Sequence, residues 1–193
     1  MTALQPDRTL EARDFWLRPV RSSDTEPLFY LANIGSPSWS RLTAEGTLTP
    51  RQFPERLWRD VLTQYLVCDR IDGAPRALAA VYRADLLSRT SHIDVVSFEV
   101  RGAPADAPPP EFVAEVLLIE HAFRDWDMRK VYFEYIANGP EPLAGLELAI
   151  EEARFVGDYR HDGTYWDRVV TSVWKCGWQE ARSAALNLIG FYE

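Results

Sequence analysis

A mixed α/β domain, with helices on both faces of a mostly antiparallel sheet, is what this chain of 193 residues predicts. Three observations predict it. Two Asp-Gly pairs, Asp72-Gly73 and Asp162-Gly163, each stand between runs of alternating apolar residues, the pattern of a β-hairpin. One long segment, Glu111–Asp127, carries Phe112, Val116, Ile119, Phe123 and Trp126 on a single helical stripe. Around that segment, strand-like and helix-like stretches alternate, which implies one sheet covered on both sides.

The elements follow in order. Residues 1–14 read as a flexible arm, and residues 15–193 as one domain. Phe15–Val20 is a first strand. Ser23-Asp24-Thr25-Glu26 has the spacing of a capping box and opens a helix to about Asn33, which Gly35-Ser36-Pro37-Ser38 breaks. Thr49-Pro50-Arg51-Gln52 offers a second cap for a helix to about Thr63, with Pro54 able to shift its start. Gln64–Arg70 and Ala77–Arg83 form the first hairpin, and the β-rich Ser91–Val100 pairs next to it. Arg101–Pro110 is a Pro/Ala loop before the long helix. Lys130–Tyr135 is a buried strand, Leu143–Glu152 a short helix, and Phe155–His161 with Thr164–Trp174 the second hairpin. The total is about seven strands and about four helices.

Composition narrows the function. A net charge of −8 opposes the phosphate backbone of nucleic acids and equally an anionic membrane surface. The N-terminus lacks an apolar signal core, and no run approaches the ~20 apolar residues of a membrane span. Cytoplasm is the expected compartment, with Cys68 and Cys176 reduced. His92, His121 and His161 stand far apart with no ligand spacing, so no metal site is expected. His121 falls off the apolar stripe of the long helix and is expected at the surface. Glu134 alternates with Phe133 and Tyr135, which suits either a cleft residue or an edge residue. Cys68 reads as a buried strand residue, and the scattered tryptophans as core or dimer contacts.

Three stretches carry a resemblance. "EVLLIEHAFRDWDMRKVYFEY" looks like a central helix, turn and strand, and "NGPEPLAGLELAIEEARFVGDYRHDGTYWD" like a later helix and closing hairpin. Leu17-Arg18-Pro19 matches a usual first strand. Together they resemble the GCN5-related N-acetyltransferase superfamily, especially its ribosomal-protein acetyltransferase-like branch, over about residues 15 to 175. The resemblance implies a sheet splayed between its fourth and fifth strands, where acetyl-CoA or another pantetheine thioester would lie. Ser97, Phe98 and Val100 would touch the pantetheine arm; Phe112, Val113 and Ala114 would meet the pyrophosphate, and Asn138 would lie near the cofactor. Glu99 would be the base that takes a proton from the amine, although a solvated strand glutamate would look the same. The acid for the leaving thiolate, a Tyr or Ser on the later helix in many relatives, has no counterpart there. Tyr165 is the substitute, with Tyr135 and Tyr159 behind it.

The resemblance has one departure. The loop that should donate amides to pyrophosphate reads Asp106-Ala107-Pro108-Pro109-Pro110-Glu111, without glycine or arginine, and proline has no N–H to give. The function so implied is acyl transfer to an amine of a small molecule or peptide. An acyl carrier protein is a donor better suited to the damaged loop, and exposed hairpin edges suit a homodimer. The alternative is a protein that keeps the fold as a binding or assembly module without using acetyl-CoA.

Overall fold

The computed structural model describes residues 9–34, 42, 49–98, 108–137, 139, 141–161 and 163–191. Eight strands make one sheet: β1 (Leu10–Glu11), β2 (Phe15–Pro19), β3 (Val61–Asp69), β4 (Pro75–Asp85), β5 (Thr90–Ser97), β6 (Lys130–Ile136), β7 (Ile150–His161) and β8 (Thr164–Trp174). Their order is β1-β2-β3-β4-β5-β6-β8-β7, and every neighbour is antiparallel except β5 with β6. The helices are α1 (Thr25–Ile34), α2 (Phe53–Trp58), α3 (Pro110–Arg124) and α4 (Lys175–Leu188). The single mixed domain expected from the sequence is therefore present, with one strand more. The extra strand, β1, lies in the stretch read as an arm, where Leu10 and Ala12 are buried.

The sheet's two faces hold two cores. On one, Leu17, Val67, Ile93, Phe133 and Val173 pack against α3 and α4. On the other, Leu66, Leu78, Val96 and Phe98 pack against Leu28 of α1 and Phe53 and Leu57 of α2. Strand residues alternate between these faces. Both hairpins form where Asp-Gly placed them; Gly73 has φ +70° and donates its N–H to Asp69 at 2.9 Å, a conformation that glycine adopts without strain.

Three local expectations change, and one helix is new. The helix expected over 143–152 is instead a run of turns, and β7 begins at Ile150. Leu143 and Gly145 both have positive φ (56° and 89°), so the chain reverses rather than winding, and the Leu143 N–H goes to the Glu115 carboxylate at 2.8 Å. A short 3-10 turn over Ser22–Asp24 precedes the first helix, so the cap lies two residues early at Arg21: its N–H goes to the Asp24 carboxylate at 2.7 Å, and Arg18 clamps Asp24 through two 2.8 Å bonds. Trp58 ends α2 before Thr63, with Pro54 in its first turn. Finally α4, for which the sequence raised no expectation, packs on α3 through the fully buried Trp178.

Candidate functional site

The parallel ladder between β5 and β6 is short. It pairs Thr90–Ile93 with Lys130–Phe133 and stops, while both strands run on. Past that point Asp94–Ser97 pair only with β4, and Glu134–Ile136 only with β8. The two strands part, leaving a slot whose walls are two strand edges. An extended, amide-containing guest can pair with such an edge as an added strand would.

The face of the slot toward α1 and α2 is polar and charge-balanced. Glu134, on β6 immediately beyond the ladder, has a side chain 4% exposed. Arg168 Nη1 donates to its Oε2 at 2.6 Å, and Arg83 Nη1 lies 3.6 Å from its Oε1. His92 Nδ1 stands 3.3 Å from the same Oε1, near enough for attraction but off the line of a good hydrogen bond. Burial alone would raise the Glu134 pKa, but His92 and Arg168 overcome it and hold the carboxyl below its usual range. The His92 ring sits between Tyr82 and Tyr132, at 5.4 and 5.1 Å between ring centroids. Asp94, across the slot on β5, is also buried.

The face toward α3 differs. Glu111, in the first turn of α3, accepts a hydrogen bond from the Ser97 hydroxyl at the end of β5. One turn on, Glu115 is buried, with the Leu143 N–H as its hydrogen-bond donor. Burial pushes its carboxyl up to about 8, and the nearby Glu111 adds to the shift. Tyr135, on β6 beyond the ladder, alternates with Glu134 and so faces this side. Its phenol is pushed upward by burial first, then by Glu141 and Glu151, so it keeps its proton.

The residues named from the sequence distribute unevenly. Ser97 reaches the slot mouth. Phe98 instead packs under α1 and α2, and its N–H goes to Arg76 O at 2.7 Å. Val113 and Ala114 lie in the core, and Phe112 packs against it. Tyr165 is 67% exposed near the hairpin tip, paired across the strands with Arg160. Glu99, Val100 and Asn138 lie outside the described residues. His121 is not at the surface but 1% exposed. Every α3 residue from Val113 to Phe123 is buried, so leaving the stripe does not mean reaching water. Its Nδ1 is 2.7 Å from Asp125 Oδ2, and Trp126 Nε1 donates to its Nε2 at 3.3 Å. Tyr135 and the Glu134 network were visible in the sequence only as alternation, which does not say where a ladder ends. Among the described residues no group of three or more His, Cys, Asp or Glu could hold a metal ion, and no helix is long and apolar enough to cross a membrane.

Several solved structures that superpose on this chain are described as acetyltransferases. A GCN5-related N-acetyltransferase from Brucella melitensis superposes with a TM-score of 0.66 at 19% identity, over 93% of this chain and 84% of that one. A GNAT-family protein from Chromobacterium violaceum ATCC 12472 gives 0.63 at 17%, over 90% and 89%. The spermidine/spermine N-acetyltransferase SpeG from Vibrio cholerae gives 0.64 at 14%, over 86% and 96%. The chain has the GCN5-related N-acetyltransferase fold. No family model and no curated protein sequence matches it.

That fold implies an acyl-CoA, and the residues fit it only in part. The slot suits the pantetheine arm. The mouth does not suit the diphosphate. Pro109 caps α3 and Pro110 is its first residue, so two positions lack an N–H. The Val113 N–H is already bonded to Pro109 O at 3.1 Å. Only the amides of Glu111 and Phe112 remain in the first turn, and the Glu111 carboxylate stands beside them.

Proposed function

We propose that the protein transfers an acyl group from a pantetheine-type thioester to an amine of a small molecule or peptide. The observation that carries this reading is the early end of the β5–β6 ladder. It creates a strand-edged slot in which an extended thioester arm can be held with its carbonyl near the fork at Ile93 and Phe133. The amine would approach from the α1–α2 face and attack the thioester carbon. The C–N bond forms, a tetrahedral oxyanion collects charge that β5 amides can steady, and the C–S bond then breaks. The amine's proton needs an acceptor and the thiolate a donor. Glu99 remains the acceptor the resemblance implies. Tyr135, protonated and on the α3 side of the slot, is better placed as donor than Tyr165.

Among amine acceptors, SpeG's substrates are spermidine and spermine by its name, and a small amine of that kind is the acceptor we put first. An acyl carrier protein is the donor partner we put beside a free thioester. For a homodimer, the surface to examine by sedimentation is the outer strand β7, where Ile150, Phe155 and Val156 are exposed.

The test is thiol release from S-acetyl-pantetheine or acetyl-CoA, followed colorimetrically against a panel of amines. Amine-dependent release that falls at least about tenfold in Tyr135→Phe supports the reading. A second reading, a binding or assembly module without catalysis, draws on the prolines and the Ser97–Glu111 link at the mouth; it predicts no thiol release with any amine.

A further inference from the structure

The mouth of the slot carries an anion of its own. In this fold the first turn of the helix after the slot is where a phosphate would be met, because free amides and the positive end of the helix dipole point there. Here that turn belongs to α3, and its chemistry is inverted. Pro110 contributes no N–H, and the Glu111 carboxylate complements the helix terminus from within the chain. The Ser97 hydroxyl, on the strand edge that forms one wall of the slot, donates to that same carboxylate. Behind it lies the buried Glu115, which the Leu143 N–H and not a cation accompanies. No ion pair among the described residues places an Arg or Lys on either Glu111 or Glu115. A diphosphate brought here would displace the Ser97–Glu111 bond and stand beside a carboxylate that no described Arg or Lys pairs.

We infer that the slot takes the neutral pantetheine arm of a thioester donor and that its mouth, formed by Ser97, Pro110 and Glu111, rejects the diphosphate of coenzyme A. The inference rests on the transfer reading above and narrows its donor class. Glu111 acts as a built-in substitute for the phosphate, satisfying the helix end and thereby removing the affinity that a nucleotide tail gives. The donor arm must then be recognised by its amides and its acyl thioester alone. A neutral S-acyl-pantetheine meets the same slot without the penalty, and a protein-bound phosphopantetheine, with the single charge of its phosphodiester, meets a smaller one than coenzyme A.

Calorimetric titration of the full-length protein with acetyl-CoA, S-acetyl-pantetheine and adenosine 3′,5′-bisphosphate tests this. Acetyl-CoA should bind no tighter than S-acetyl-pantetheine, and the bisphosphate should not compete with either. Raising the ionic strength should strengthen acetyl-CoA binding or leave it unchanged, because the field at the mouth is repulsive. Glu111→Gln should shift the acetyl-CoA to S-acetyl-pantetheine preference toward acetyl-CoA by about tenfold, the scale of one removed charge contact. Acetyl-CoA binding at least about tenfold tighter than S-acetyl-pantetheine, with salt weakening it, overturns the inference while leaving the transfer reading intact. An unchanged preference in Glu111→Gln also overturns it. Binding of neither thioester overturns both.

Discussion

The two ends of α3 bury carboxyl groups in opposite ways. At the C-terminal half, Glu120 is met by Trp178 Nε1 at 3.0 Å and by both arms of Arg182 at 2.9 Å, with Arg124 at 3.6 Å. Burial would raise its pKa, but Arg182 and Trp178 more than offset this and the carboxyl is held below its usual value. At the N-terminal half, Glu115 is as deeply placed yet has one backbone amide and a like-charged neighbour. The first arrangement fastens α4 to α3. The second ties the Leu143 turn to α3, with no cation on the carboxyl among the described residues. A buried acid without a cation is costly when ionised, and Glu115 stands one turn from Glu111, which meets Ser97 at the end of β5.

The largest effect expected from breaking this contrast is at Glu115. Its folded pKa of about 8 exceeds the unfolded value, so the folded protein holds a proton that the unfolded chain releases. Its stabilising share is complete below about pH 4.5 and lost as pH rises through about 8. Glu115→Gln keeps the acceptor for Leu143 N–H and cannot ionise. Denaturant unfolding should show variant and wild type alike near pH 4.5 and the variant more stable at pH 9, by on the order of 4 kcal/mol. Equal stability at both pH values would mean that Glu115 is solvated or paired.

Next in size is Glu120→Ala, which removes the acceptor shared by Arg182 and the Trp178 N–H. It should cost about 3 kcal/mol and lower Tm by roughly 6–12 °C in a chain of this length. On the opposite face, Glu134→Gln should cost about 1–2 kcal/mol at pH 7, because Arg168 retains Asp158 at 2.7 Å and is partly solvated. That gap should close as pH falls through the depressed Glu134 pKa, since protonation then removes the same charge from the wild type. The smallest is Ser97→Ala. Losing one hydrogen bond at the mouth should change stability by under about 1 kcal/mol, while making the donor slot easier to enter in a thioester titration.

The sheet was readable because its signals are local. Asp72-Gly73 sits in the turn its chemistry favours, the second hairpin's strands end at His161 and start at Thr164, and the apolar stripe of α3 placed that helix to within about three residues. What failed depended on contacts between distant residues. The 143–152 stretch has helical composition, but Glu115, 28 residues earlier in sequence, takes the Leu143 N–H and holds the chain in turns. His121 looked exposed because a stripe assumes one wet face, whereas its ring is enclosed by Tyr65 of β3 and by Trp126. The site was partly legible. The proline mouth was plain in the sequence, and so was the charge on the Glu134 face. The parting of β5 and β6 was expected from the resemblance, but the point where it starts was not, because alternation continues unchanged past Ile93 and Phe133 and only the pairing stops.

The slot itself is open to one direct measurement. Backbone amide chemical shifts, followed while S-acetyl-pantetheine is titrated into labelled protein, report which strand edges the arm occupies. The account predicts saturable shifts at Asp94–Ser97 and Glu134–Ile136, on the parted strand ends, with β1 and β2 unaffected. Saturating donor that moves none of those amides, or moves only residues far from the fork, would contradict it.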